Sequence, residues 1–227
     1  MPSSLPSPPA LQTGFTLTEL AIVLVIMSLL SGGILLSLSA QAESRHLNDT
    51  RQQLGEIKDA LLGFAAANGY LPCPDVDSDP RNTSYGVSDN TSCSSGEGWL
   101  PFKTLGTYEH DPWGSHRTQA GDPPQGRWRY RLDSAYGSAI TLATSQADGL
   151  AVVDRSGNAL TNSGNDKDRP VAIIYSTGPD GIANGRNGDT TGNEYAADIP
   201  GPGFDDQLLW ISRPLLFNRL IAAGRQL

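Results

Sequence analysis

Cysteine is nearly absent from this chain of 227 residues, which has two, Cys73 and Cys93. That is too few for a disulfide-rich mini-scaffold and leaves no four-ligand zinc cluster. Positive charge is scarce as well. Sixteen Lys and Arg stand against 24 Asp and Glu, for a formal charge of −8, and this balance argues against a strongly basic nucleic-acid binder. Recognisable catalytic motifs are missing too: there is no Gly-x-Ser-x-Gly elbow, no P-loop and no His-Glu-x-x-His helix. Glu109-His110-Asp111 with His116 read as exposed polar residues flanking a loop tryptophan rather than as a metal or acid–base cluster. With no nucleophile, base and orienting group converging, the chain reads as a protein that is not an enzyme.

Charge disappears altogether between Leu20 and Ala42. The apolar run, residues 15–42, matches the roughly 20 residues a helix needs to cross a bilayer core, and is read as membrane-spanning. A secretory signal peptide is the alternative, but the run exceeds the usual h-region and no basic n-region precedes it. Glu19 sits near its start, where a carboxylate costs roughly 2.5–3.5 kcal/mol on insertion scales. The helix macrodipole and the interface soften that cost. Two readings follow for Glu19: a snorkelling or protonated side chain, or a carboxylate that awaits a cation from another chain.

Gly14-Phe15-Thr16-Leu17-Thr18-Glu19-Leu20 resembles the prepilin cleavage and methylation motif of type IV pilins and type II secretion pseudopilins. The resemblance implies cleavage after Gly14 by a prepilin peptidase and methylation of the new amino terminus, Phe15. It implies that Glu19 meets the terminal ammonium of a neighbouring subunit during assembly, in a low-dielectric helical core. Its implied partners are the prepilin peptidase, other pilin or pseudopilin subunits, an inner-membrane assembly platform and the membrane. Nucleic acid is a weaker expectation. The implied location is single-pass in the inner membrane with the head in the periplasm, then a periplasmic pseudopilus or a cell-surface pilus. The leader departs from the family in having no Lys or Arg in residues 1–13.

Proline is absent from residues 43–68, and Leu47, Leu54, Ile57, Leu61, Phe64 and Ala65 mark one helical face. The helix is therefore expected to continue from Phe15 to Asn68, with Gly32-Gly33 a candidate bend and Asn68-Gly69 the stop. The segment 70–105 reads as loop, and Ser138–Ser145 with Leu150–Asp154 as a hairpin around residues 146–149. Arg169–Ser176 and Gln207–Ser212 read as further strands, and residues 214–224 as a short amphipathic helix with Ser212 as its N-cap. The expected fold is α+β and pilin-like: a long N-terminal helix, half transmembrane and half amphipathic, on a small antiparallel sheet with a short C-terminal helix. Its divisions are a leader, 1–14, a transmembrane or filament-core helix, 15–42, an amphipathic continuation, 43–69, and a globular head, 70–227.

In the head, a disulfide between Cys73 and Cys93 is the expected pairing, since a metal pair lacks His or further Cys partners. Trp128, Tyr130 and Leu132 alternate with Arg127, Arg129 and Arg131. The arginines are expected on a solvated outer face or as intersubunit salt-bridge donors, rather than gripping phosphate. Residues 176–210 are rich in Gly, Asn and acid, and resemble the calcium loop of major pseudopilins. That resemblance implies Asp180 and the Asp205-Asp206 pair as ligands of Ca²⁺, with the insertion between them leaving the middle ligands unassigned and Asp189 an added candidate, against the alternative of an acidic surface loop. The polar insertions at 75–98, 115–126 and 182–203 favour a minor subunit. The competing expectation is a binding or adhesion module whose enlarged head contacts a surface, DNA or a secreted substrate.

Overall fold

A computed structural model of the chain describes residues 14, 16–89, 93, 96–114, 126–162, 168–189 and 192–227, with the backbone alone for 30–40. The fold is mixed α/β and divides into two compact units, Met1–Arg45 and His46–Leu227. Helix α1, Leu17–Asn68, starts in the first unit, runs helical through Gly32-Gly33 and ends in the second. In the first unit its described apolar side chains are exposed, among them Ile22, Leu24 and Met27.

The expected transmembrane half, and with it the single-pass inner-membrane location, is overturned: among the described residues no helix is long and apolar enough to cross a membrane. The pilin-like fold class, in the form that includes such a half, is corrected accordingly.

In the second unit, α1 is amphipathic. Leu54, Ile57, Leu61, Leu62 and Ala65 are buried on one side, at the three- and four-residue spacings that keep side chains on one helical face. The helix stops at Gly69, whose φ of +84° is left-handed and whose N–H closes on the Ala65 carbonyl at 2.7 Å. The chain's end returns to this terminus: Arg225 donates through Nε to the Ala66 carbonyl at 2.9 Å and through Nη2 to the Ala67 carbonyl.

Four strands form an antiparallel sheet in the order β1 (Glu97–Trp99), β2 (Arg129–Leu132), β4 (Pro170–Ser176), β6 (Gln207–Ser212). Two more, β3 (Ala151–Val153) and β5 (Glu194–Ala196), pair in parallel. Because side chains alternate along a strand, the sheet has two covered faces. Tyr130, Leu132, Ala172, Ile174 and Ile211 join the α1 residues and Leu216, Phe217 and Leu220 of α3 (Arg213–Ala222) in one cluster. Ile173 and Tyr175 pack with Leu150, Val152 and Tyr195 in a second. Strand β4 is buried along its whole length, which is why its sequence, PVAIIYS, is an apolar run rather than an alternation.

The parallel pair corrects the expected hairpin. Asp133 is buried, and its carboxylate accepts the N–H groups of Ala135, Ala147 and Asp148. Residues 146–148 are thereby tied to a side chain instead of a ladder, and β3 pairs with β5 across an intervening β4. The expected loop 70–105 also contains β1 and the short helix α2 (Phe102–Leu105). Cys73 and Cys93 form a disulfide, with Cα atoms 5.0 Å apart.

Ile57→Ala removes a side chain that is 0% exposed and should cost about 2–5 kcal/mol of stability. Leu142→Ala, at 63% exposed, should stay within about 0.5 kcal/mol of the parent. Urea unfolding of the two variants checks the helix–sheet core, which is misplaced if Ile57→Ala is as mild as Leu142→Ala.

Candidate functional site

The motif residues lie at the start of α1. Gly14 is exposed, and Phe15 lies outside the described residues. Thr16 precedes the first helical residue, and its Oγ1 accepts the Glu19 N–H at 3.2 Å. Glu19 answers through Oε2, which accepts the Thr16 N–H at 3.1 Å and the Thr16 hydroxyl at 3.0 Å. This is a reciprocal capping box, which satisfies two backbone donors that a helix start leaves orphaned. The sequence reading weighed Glu19 as a snorkelling group or a partner for a cation and missed this local role. Thr16 three residues before Glu19 was its signal.

The three arginines of β2 and its approach are not on a solvated face, because the sheet's second face is covered. Arg127 and Asp75 form an ion pair with both side chains 1% exposed. Asp75 also accepts the Gly86 N–H at 2.7 Å, and Arg127 Nη1 donates to the Asp77 carbonyl at 3.0 Å. The Arg127 guanidinium lies 4.2 Å from the Tyr85 ring centroid and 4.9 Å from that of Trp99, an arrangement that favours the cation. Arg129 donates through Nε and Nη2 to Glu97. Glu97 in turn accepts the hydroxyls of Tyr175, at 2.9 Å, and Tyr195. Burial pushes both phenols above their ordinary pKa, and the Glu97 charge adds to the effect. Arg131 donates to Asn193 at 3.2 Å and lies 3.6 Å from Asp148. Each guanidinium thus has an internal carboxylate, and the row is no outward-facing phosphate grip.

The acidic loop gathers only part of the expected ligand set. Asp206 is buried, and its Oδ2 accepts the Asn184 N–H and the Asn187 amide, each at 2.8 Å. The Asp180 N–H approaches Asp205 Oδ2 at 3.4 Å, while the Asp180 carboxylate accepts the Ile182 N–H at 2.8 Å. Asp189 follows the 3₁₀ turn Gly185–Gly188 and accepts the Gly192 N–H at 3.1 Å. Burial pushes the Asp206 carboxyl up to about 6, and burial followed by the Asp180 charge raises Asp205. Asp205 and Asp206 each keep one buried Oδ1 without a hydrogen-bond partner, the kind of atom a hard cation would satisfy. Yet among the described residues no three His, Cys, Asp or Glu side chains are gathered as a metal-holding group, against the six to eight oxygens that calcium takes.

No family model, curated protein or solved structure matches the chain.

Asp111 was expected at the surface and is instead buried. The Ser176 hydroxyl donates to its Oδ2, the Trp113 N–H donates to its Oδ1 at 3.1 Å, and the Gly178 N–H in turn donates to Ser176 Oγ at 3.1 Å. Neighbouring Glu109 accepts the Tyr85 hydroxyl and lies 3.8 Å from His110 Nε2. His116 lies outside the described residues.

Burial holds the Asp111 carboxyl up at about 6, against its ordinary 3.8. The folded chain therefore binds this proton more tightly than the unfolded one. The resulting stabilisation is complete below the unfolded pKa and is lost as pH rises through about 6. The loss amounts to at most about 3 kcal/mol. Asp111→Asn should flatten this part of the pH–stability curve between about pH 4 and pH 7. Urea midpoints at the two ends, for parent and variant, check it, and an unchanged slope would show that Asp111 is not the titrating group.

Proposed function

We propose that the chain is a non-catalytic filament subunit of the type IV pilin and type II secretion pseudopilin class, cut after Gly14 and methylated on Phe15. It assembles with like subunits through the apolar first part of α1. The observation that carries the proposal is the beginning of that helix. A capped start, Thr16 to Glu19, follows directly on the Gly14-Phe15 junction, and the helix then presents exposed apolar side chains, from Leu20 to Leu29. A soluble monomer rarely leaves so continuous an apolar surface open. Packing against the same segment of neighbouring subunits removes it from water, at about 25 cal/mol for each Å² covered.

Glu19 then has two tasks in sequence. In the free subunit its carboxylate caps the helix by accepting from Thr16. In the assembled helical core it neutralises the methylated terminal ammonium of a neighbour, where low dielectric makes an unpaired charge costly. The head, residues 70–227, is displayed outward, and its enlargement by insertions fits a subunit of low abundance.

The two tasks separate by substitution. Glu19→Gln retains a side-chain acceptor at the third helical position, which suits a capping box, but loses the charge. Thr16→Ala loses the cap, at about 1 kcal/mol, and keeps the charge. Mass spectrometry of the N-terminal peptide should show both variants cut after Gly14 and methylated. Filament fractions should contain Thr16→Ala and lack Glu19→Gln. Normal incorporation of Glu19→Gln would remove the charge-pairing role, and an N terminus other than Phe15 would overturn the class itself.

A further inference from the structure

A cavity of about 430 Å³ opens beside the arginine row, lined by Trp99, Arg127, Arg129, Tyr175, Thr177 and Ile182 among others. Its size lies at the lower end of small-ligand sites, which hold mostly apolar walls and a few fixed polar groups. Both kinds of lining are present. The Trp99 indole and the Ile182 side chain, 65% exposed, offer apolar surface. The polar donors are guanidiniums. Arg129 is fixed by Glu97 yet keeps 22% of its side chain open.

Arg127 is the more telling of the two. Its Nη groups are spent on Asp75 and the Asp77 carbonyl, but its Nε–H is buried and has no acceptor. A buried donor left without a partner is unfavourable. Arg127 is among the residues that line the cavity. The compensating carboxylates, Asp75 and Glu97, are not among the residues that line the cavity, whereas Arg127 and Arg129 are, so an entering anion meets guanidinium rather than carboxylate.

We infer that this cavity is a binding site for a compact carboxylate on a ring or branched apolar body. The carboxylate takes the Arg127 and Arg129 donors, and the body lies against Trp99 and Ile182. Such a group is carried by a free aryl or alkyl acid, or by the C-terminal residue of a polypeptide. A guanidinium can meet a carboxylate with two parallel N–H donors, and the aromatic wall favours an acid that carries an apolar body over a bare inorganic anion. The inference rests on the cavity alone and is independent of whether the chain assembles.

Isothermal titration of the full chain with benzoate, benzamide and inorganic phosphate tests it. Benzoate should bind in the millimolar range or tighter and benzamide at least about tenfold more weakly, because only the anion meets both guanidiniums with charge-assisted bonds. Phosphate should bind more weakly than benzoate. Ile182→Glu, at an exposed position where folding is not at stake, puts a like charge at the rim and should weaken benzoate by about tenfold while leaving the urea midpoint unchanged. Equal binding of acid and amide, preference for phosphate, indifference to Ile182→Glu, or no heat with any of the three overturns the site. Acetylated dipeptides ending in Phe, as free acid and as amide, then identify the source. A free-acid dipeptide tighter than benzoate assigns a polypeptide terminus, and one weaker than benzoate assigns a small acid.

Discussion

The head is organised around one buried carboxylate. Glu97 lies in a three-residue edge strand, and on its own such a charge would be expelled from the interior or neutralised. It stays because three elements converge on it: Arg129 from β2, Tyr175 from β4 and Tyr195 from β5. Removing any one donor leaves the charge under-satisfied, which is costlier than never having buried it. The arrangement therefore couples the short strand β1 to the centre of the sheet, and the sheet to the parallel pair on its far face. Asp75 with Arg127 repeats the device at the loop that follows α1, and Asp133 repeats it with backbone donors alone.

That second face explains what was and was not legible in the sequence. Period and proline placement were enough to read α1 beyond residue 43, its stop at Gly69, the strands β4 and β6 and the terminal helix α3, since each depends on local pattern. The hairpin around residues 146–149 failed because its strand pairs instead with β5, about 40 residues on, a partner that no local signal identifies. The arginines at 127, 129 and 131 were misread for the same reason. Alternation predicted that they share a side of the strand, but not that another layer covers it. The unbroken apolar run of β4 was the available clue, because a strand with one wet face alternates.

The membrane reading was built on hydropathy and length over residues 15–42, and no described helix meets the two requirements together. What the same residues do have is a helix start with a side-chain lock. A carboxylate judged anomalous by its transfer cost turns out to be ordinary by its position, three residues after a threonine whose N–H it accepts. Cost scales that treat a residue in isolation miss such local satisfaction, and the acidic loop shows the converse. Composition suggested a full set of oxygen ligands, whereas Asp180 and Asp189 each accept a backbone N–H of their own turn, and Asp205 and Asp206 each keep a buried oxygen without a partner.

The contact of Arg225 with the Ala66 and Ala67 carbonyls closes the last turn of α1 with the last residues of the chain. A cation there complements the negative end of the helix and occupies acceptors that would otherwise need water. The tail and the last turn of α1 thus share one hydrogen-bonded corner, so that fraying of either one uncovers polar groups of the other.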